Sequence, residues 1–217
     1  MANLCDVEMT AYGKAEGLEK LAKLIADNDG IMYKMVESID KDAARNKIVC
    51  SGTFYMTDLD GMLMEIEENT DDEGNSSFNC DYEGAWTAQD DVHDFLTQHF
   101  SEYNLSLSYR EIECGCGVYA TNDSERYPEK WYLETDMHGA VDSDVCMDIQ
   151  RVAKKLADKC IIGKGVVASD KDYSEMNNTR KEQYLCLLEN YVKETVERFN
   201  KNMDGECYVT LNEIEFV

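Results

Sequence analysis

The chain has 217 residues, 45 acidic and 21 basic side chains, and a formal net charge of −24. With 43% apolar and 10% aromatic residues it has the material for a packed core, so the charge does not signal disorder. A single proline, no apolar run of about 18 residues, and an isoelectric point near 4.3 exclude a proline-rich spacer, a membrane-spanning helix, and direct binding to nucleic acid or an anionic bilayer, which needs lysine and arginine.

Residues 5–12 alternate, with Cys5, Val7 and Met9 on one side and Asp6, Glu8 and Thr10 on the other, as a half-buried strand does. Residues 14–27 carry Leu18, Leu21, Ala22 and Ile25 at helical spacing, and Asn28-Asp29-Gly30 is the stop. Residues 31–46 read ambiguously, with a short helix as one option, and 47–56 read as a strand. Asp58-Leu59-Asp60-Gly61 reads as a turn before a second strand at 62–67, and 69–77 as an exposed acidic loop. Residues 78–86 alternate again. Residues 89–100 predict a helix with Val92, Phe95, Leu96 and Phe100 as its apolar stripe, followed by strands at 105–110, 117–121 and 131–137. Ser143 is a candidate cap for a helix carrying Cys146, Ile149, Val152, Ala153, Leu156 and Cys160 on one face. The longest helical signal lies within 174–202, and 207–217 form a closing strand.

This order predicts an α+β protein. Residues 1–138 form a ferredoxin-like core, a mostly antiparallel sheet with helices on one face. Residues 139–217 form a helical extension whose final strand packs on the core.

The nine cysteines are odd in number and widely spaced, and the first twelve residues lack the basic and apolar regions of a secretory signal. Both features predict reduced thiols in the cytoplasm, most of them acting as small core hydrophobes, with Cys50 and Cys186 in apolar surroundings as examples. Catalytic patterns are missing. His93 and His99 are six apart and do not share a helix face, so the two-histidine zinc spacing fails. Cys114-Gly115-Cys116 is not a C-x-x-C pair, Asp58 to Glu65 is only part of a calcium loop, and Gly163-Lys164-Gly165 is not a P-loop. A composite of Cys80, His93, His99 and Cys114, or a weak divalent-ion site among the carboxylates, stays open. Neither a catalytic residue nor a cofactor or metal is expected.

The charge itself has an address. Residues 61–145 hold 21 acids and 3 bases, a balance of −18, and the bases are Arg110, Arg126 and Lys130. Within the predicted strands acids recur at i and i+2: Asp6/Glu8, Glu65/Glu67, Asp81/Glu83, Glu111/Glu113, Glu134/Asp136 and Glu213/Glu215. A strand sets such pairs on one face about 6.6 Å apart. Successive phosphates of a nucleic-acid strand are spaced on the order of 6–7 Å. An ordinary solvent face mixes signs, because like charges opposite one another are destabilising. The expected partner-binding surface therefore consists of the first five of these pairs with the loop acids Glu68, Asp71, Asp72 and Glu73. Its expected partner is a basic nucleic-acid-binding protein.

Three segments resemble a ferredoxin-like family of unknown function from phages and plasmids. They are Asn3-Leu4-Cys5 leading to Gly13, Gly84-Ala85-Trp86-Thr87 before a helix, and Leu107-Ser108-Tyr109-Arg110-Glu111 followed by Gly115 and Gly117. The resemblance covers about the first two thirds of the chain. It implies a fold and a mobile-element origin and supplies no catalytic residue. The tryptophan-rich middle usual in that family is missing. In charge the chain also looks like the acidic nucleic-acid mimics that mobile elements direct against restriction or CRISPR nucleases. Two further readings stay open: a binding module whose acidity only confers solubility, and a metal-dependent enzyme.

Overall fold

The computed structural model describes residues 4–85, 88–113, 118–203, 205 and 207–217, without the side chains of 113, 118 and 143–146. The protein is α+β, and the chain divides into two compact units: 1–127 with 216–217, and 128–215.

In unit 1 the elements run β1 (Leu4–Lys14), α1 (Ala15–Asp27), α2 (Met32–Ile39), α3 (Lys41–Asn46), β2 (Thr53–Phe54), α4 (Leu59–Glu68), β3 (Asn75–Asn79), β4 (Tyr82–Ala85), α5 (Asp90–His99), β5 (Ser106–Glu113) and β6 (Val118–Thr121). The long strand β1 pairs antiparallel with β5 along one edge. Along the other edge it pairs with β3 and β4, and β4 pairs with β2. The alternation of residues 5–12 is realised: Cys5, Val7, Met9 and Ala11 are buried, while Asp6 and Glu8 point to the opposite, open face. Helix α1 buries Leu18, Leu21, Ala22 and Ile25 and ends at Asp27, and the chain turns away at Gly30. There a left-handed φ of 71° lets the Gly30 N–H return to the Ile25 carbonyl at 2.9 Å.

Gly17 marks the tightest contact of α1, since a Cβ there would lie 2.2 Å from the Cβ of Tyr103. Tyr103 cannot yield by moving only its ring tip. Gly17→Ala is therefore expected to destabilise the protein by about 1–3 kcal/mol in urea unfolding, overriding the gain in helix propensity.

Several expectations need correction here. Residues 62–67 are not a strand but part of α4. Met62 and Ile66 bury one helical turn apart, and the Asp58 carboxylate caps the helix by accepting the Gly61 N–H at 3.2 Å. Residues 31–46 form two short helices. Of 47–56 only Thr53–Phe54 pairs as a strand. The acidic loop is shorter than 69–77, because residues 75–79 pair with β1.

Unit 2 holds β7 (Trp131–Met137), β8 (Ala140–Met147), α6 (Ile149–Asp158), α7 (Asp170–Glu175), α8 (Asn178–Asn202) and β9 (Cys207–Glu213). Its sheet is antiparallel in the order β8-β7-β9. Trp131, Leu133 and Val209 from the sheet join Val152, Leu156, Leu188 and Val192 from the helices in a separate core. The division falls at Tyr127/Pro128 rather than at 138, because residues 131–137 take both their strand partners from later in the chain. Ser143 falls within a strand and not at a helix start. Residues 140–147 are strand, and Asp148 caps α6 by accepting the Arg151 N–H at 2.8 Å. A last short strand, β10 (Glu215–Phe216), adjoins β6, and Val217 N–H donates to the Thr121 carbonyl. Among the described residues no helix is long and apolar enough to cross a membrane.

Candidate functional site

Unit 1 carries 27 acidic and 9 basic side chains, a balance of −18, against 18 and 12 in unit 2. The predicted acids do not all share one face. Four belong to the open face of the β1–β4 region: Asp6, Glu8, Asp81 and Glu83. Asp6 and Glu83 stand directly opposite one another across the antiparallel pair. Asp81 lies just before β4, where its Oδ1 accepts the Met9 N–H at 2.9 Å. Tyr55, 57% exposed, sits among these carboxylates and donates its hydroxyl to Asp6. Its own desolvation, the Asp6 bond and the nearby charges of Glu83 and Asp81 all hold the Tyr55 phenol in its neutral form. No lysine or arginine among the described residues pairs with Asp6, Asp81 or Glu83.

The adjacent part of the same face is neutralised. Arg110 of β5 is opposite Glu8 and holds its carboxylate at 2.6 Å. Its guanidinium lies 4.9 Å from the ring of Tyr127, and that of Arg126 lies 5.2 Å from the ring of Tyr12. Two of the three bases in residues 61–145 are thus spent on one half of the face, and the Asp6–Glu83 half keeps its charge.

The remaining predicted acids fall elsewhere. Glu65, Glu67 and Glu68 are on α4, where an i, i+2 pair diverges instead of sharing a face. Glu65 accepts from the backbone and side chain of Asn79 at 3.1 and 2.8 Å. Asp71 organises the next turn by accepting the N–H groups of Asn75 and Glu73, bonds that lower its pKa. Asp72 and Glu73 are exposed beside it. Glu111 is buried on the helix side of the sheet, 7% exposed, where its carboxylate accepts the Ala88 N–H. Burial pushes its pKa up, and that bond only partly offsets it. It is not available to a partner. The Glu113 side chain lies outside the described residues. Glu134 and Asp136 belong to unit 2, where Glu134 accepts the Tyr208 hydroxyl at 3.0 Å and Asp136 accepts the Gly139 N–H at 2.7 Å.

Among the described residues no cysteine forms a disulfide. Cys5, Cys80 and Cys207 are buried, whereas Cys186 is exposed in spite of its apolar neighbours in sequence. Among the described residues no three histidine, cysteine or carboxylate side chains converge as a metal site. Trp86, Cys114 and Cys116, together with Thr87, Gly115 and Gly117 of the family-like segments, lie outside the described residues.

Sequence reasoning missed a buried polar chain beneath α5. The Tyr82 hydroxyl accepts the Gln89 N–H at 3.0 Å and lies 2.8 Å from His93 Nε2. Next to it, Tyr109 donates its hydroxyl to Asp90 at 2.7 Å. The only signal in sequence was His93 on the apolar side of a helix, between Val92 and Leu96 in the buried set. No family model, curated protein or solved structure matches this chain.

Proposed function

We propose that this chain is a non-enzymatic acidic inhibitor that occupies the basic nucleic-acid-binding groove of another protein. The target class is a host defence nuclease of the restriction or CRISPR type, met in the cytoplasm, and the origin is a phage or other mobile element. The observation that carries the reading is the pairing of Asp6 with Glu83 in direct cross-strand opposition, beside Asp81 and without a basic partner among the described residues. Such an arrangement costs folding stability, and a basic partner recovers it on binding. Tyr55 supplies an exposed aromatic ring at its centre, the side-chain type that anchors interfaces. The ferredoxin-like reading of unit 1 is supported by the antiparallel order β5-β1-β4-β2, with α1 between β1 and β2 and α5 between β4 and β5 in sequence.

The test is competition with labelled DNA or RNA for a panel of restriction and CRISPR nucleases. Inhibition should weaken steeply as salt is raised. The double variant Asp6→Lys/Glu83→Lys should lose at least about tenfold in affinity, whereas Glu182→Lys on α8 of unit 2 should change little. Inhibition that is indifferent to salt, or to the double reversal, sinks the mimic and leaves the acidity as a solubility feature.

A further inference from the structure

We infer that the open sheet face of the β1–β4 region takes up an arginine side chain of its partner, stacked on Tyr55 and forked between Asp6 and Glu83. The docking segment is arginine-rich, and a lysine-rich segment of equal charge does not substitute for it. The assignment rests on the proposed docking of this face on a basic protein, and it names the residue type that the face selects.

The other half of the same face carries the arrangement within the chain. Arg110 is gripped by Glu8 at 2.6 Å and lies 4.9 Å from the centre of the Tyr127 ring. Arg126 lies 5.2 Å from the ring centre of Tyr12 and 5.7 Å from that of Tyr127, and it donates to Asn79 Oδ1 at 3.3 Å. Each of these bases is an arginine laid on a tyrosine. The Asp6–Glu83 half repeats the carboxylates and the tyrosine, and no base among the described residues pairs with them.

Three features select arginine over lysine. The first is the ring. The Tyr55 N–H donates to the Asp81 carbonyl at 2.9 Å and the Tyr55 hydroxyl to Asp6, so an exposed ring is held at both ends beside the carboxylates. A planar guanidinium stacks on such a ring in a way that an ammonium cannot.

The second feature is spacing. Asp6 and Glu83 stand directly opposite across the antiparallel pair, which sets their Cβ atoms about 5 Å apart. The Tyr55 hydroxyl takes Oδ1 of Asp6 and leaves Oδ2 for a ligand. The fork of five guanidinium donors serves two carboxylates at once, whereas an ammonium acts as a point charge.

The third feature is a dry border. Ile112 of β5 stands opposite Asp6, and Leu4, 56% exposed, lies on the same face of β1 opposite Ala85. A partner laid on these side chains removes water from the patch. Guanidinium is weakly hydrated and gives up that water at lower cost than an ammonium. A divalent ion or a small polyamine answers the carboxylates alone and leaves the ring and the apolar border uncovered.

The test is a calorimetric titration of the full chain with two synthetic peptides of equal length and charge, one alternating arginine with glycine and the other lysine with glycine. The arginine peptide is expected to bind about tenfold more tightly. That ratio should hold as salt is raised, because stacking is not screened while the general pull of the acids fades for both peptides. Tyr55→Phe should keep the preference. Tyr55→Leu should bring the ratio close to one and abolish the upfield ring-current shift of the arginine Cδ protons. Asp6→Asn/Glu83→Gln should also abolish the preference, and this variant relieves a repulsion, so its fold is not at risk. Equal affinity for the two peptides, or a preference that survives Tyr55→Leu or the double variant, overturns the assignment. So does a dimer of the free chain in sedimentation that the double variant dissolves, since a second copy is then the occupant. An arginine preference with no nuclease inhibited keeps this assignment and removes the nuclease as target. Salt-sensitive nuclease inhibition with equal peptide affinities keeps the nuclease and overturns the arginine assignment.

Discussion

Trp131→Ala is expected to cost unit 2 about 3–5 kcal/mol, a large share of the stability of a unit this small. Trp131 is 2% exposed and opens β7, the central strand, where it pairs with Met147 on one side and Glu213 on the other. Its ring is also the platform for two cations. The Lys193 and Lys130 ammonium groups lie 4.7 and 5.7 Å from the ring centroid, and both reach Glu213, at 3.9 and 2.8 Å. Removing the ring leaves a cavity and takes away the surface on which these ion pairs are laid. Trp131→Phe keeps part of the apolar volume and should cost less. Amide hydrogen exchange checks the prediction: protection in β7, β8 and β9 should fall sharply, and that in β1 and β5 should hold, because the hydrophobic clusters of the two units share no residue. Equal loss in both units would show that they unfold as one.

The elements that sequence predicted well are those in which charge and periodicity agree. In β1 the acids interrupt an apolar row at every second residue, and only a strand with one dry face explains that. Residues 62–67 show the opposite case. Met-Leu-Met-Glu-Ile-Glu fits a period of two and also places Met62 and Ile66 four apart. The tie is broken by Asp58 capping the helix and by Leu59 and Leu63 extending the same stripe. The acidic surface was legible at Asp6 and Glu83 and misread at Glu111, because the rule that charges point outward fails in β5. Pairing of Val7 with Glu111 fixes the register, so Glu111 turns toward the helices while Ile112 joins Asp6 on the open face. A backbone donor at Ala88, 23 residues earlier in the chain, makes that burial tolerable, and no local pattern announces it. The buried polar chain beneath α5 was illegible for a similar reason: its members come from β4, α5 and β5, and only their packing brings them together.

Acid should unfold unit 1 in a way that identifies His93. Burial holds its ring neutral, with the pKa pushed down from 6.5 to about 4, against the weaker pull of Asp90 in the other direction. Between those values the unfolded chain binds a proton that the native ring refuses, so the contribution is whole above about pH 6.5 and is lost as pH falls toward 4. Its full size is about 3 kcal/mol. Glu111 acts with the opposite sign. Its pKa is raised above the usual 4.5 by burial, so the native carboxyl keeps a proton that the unfolded one has released. That term favours the fold at low pH and is lost as pH rises through the native value. The two windows overlap, and the wild-type profile is a compromise between them. Urea unfolding from pH 4 to 8 separates them. His93→Gln should flatten the acid limb between 6.5 and 4, and Glu111→Gln should steepen it by removing the opposing term. A His93→Gln profile that keeps the wild-type slope would assign acid sensitivity to the exposed carboxylates instead.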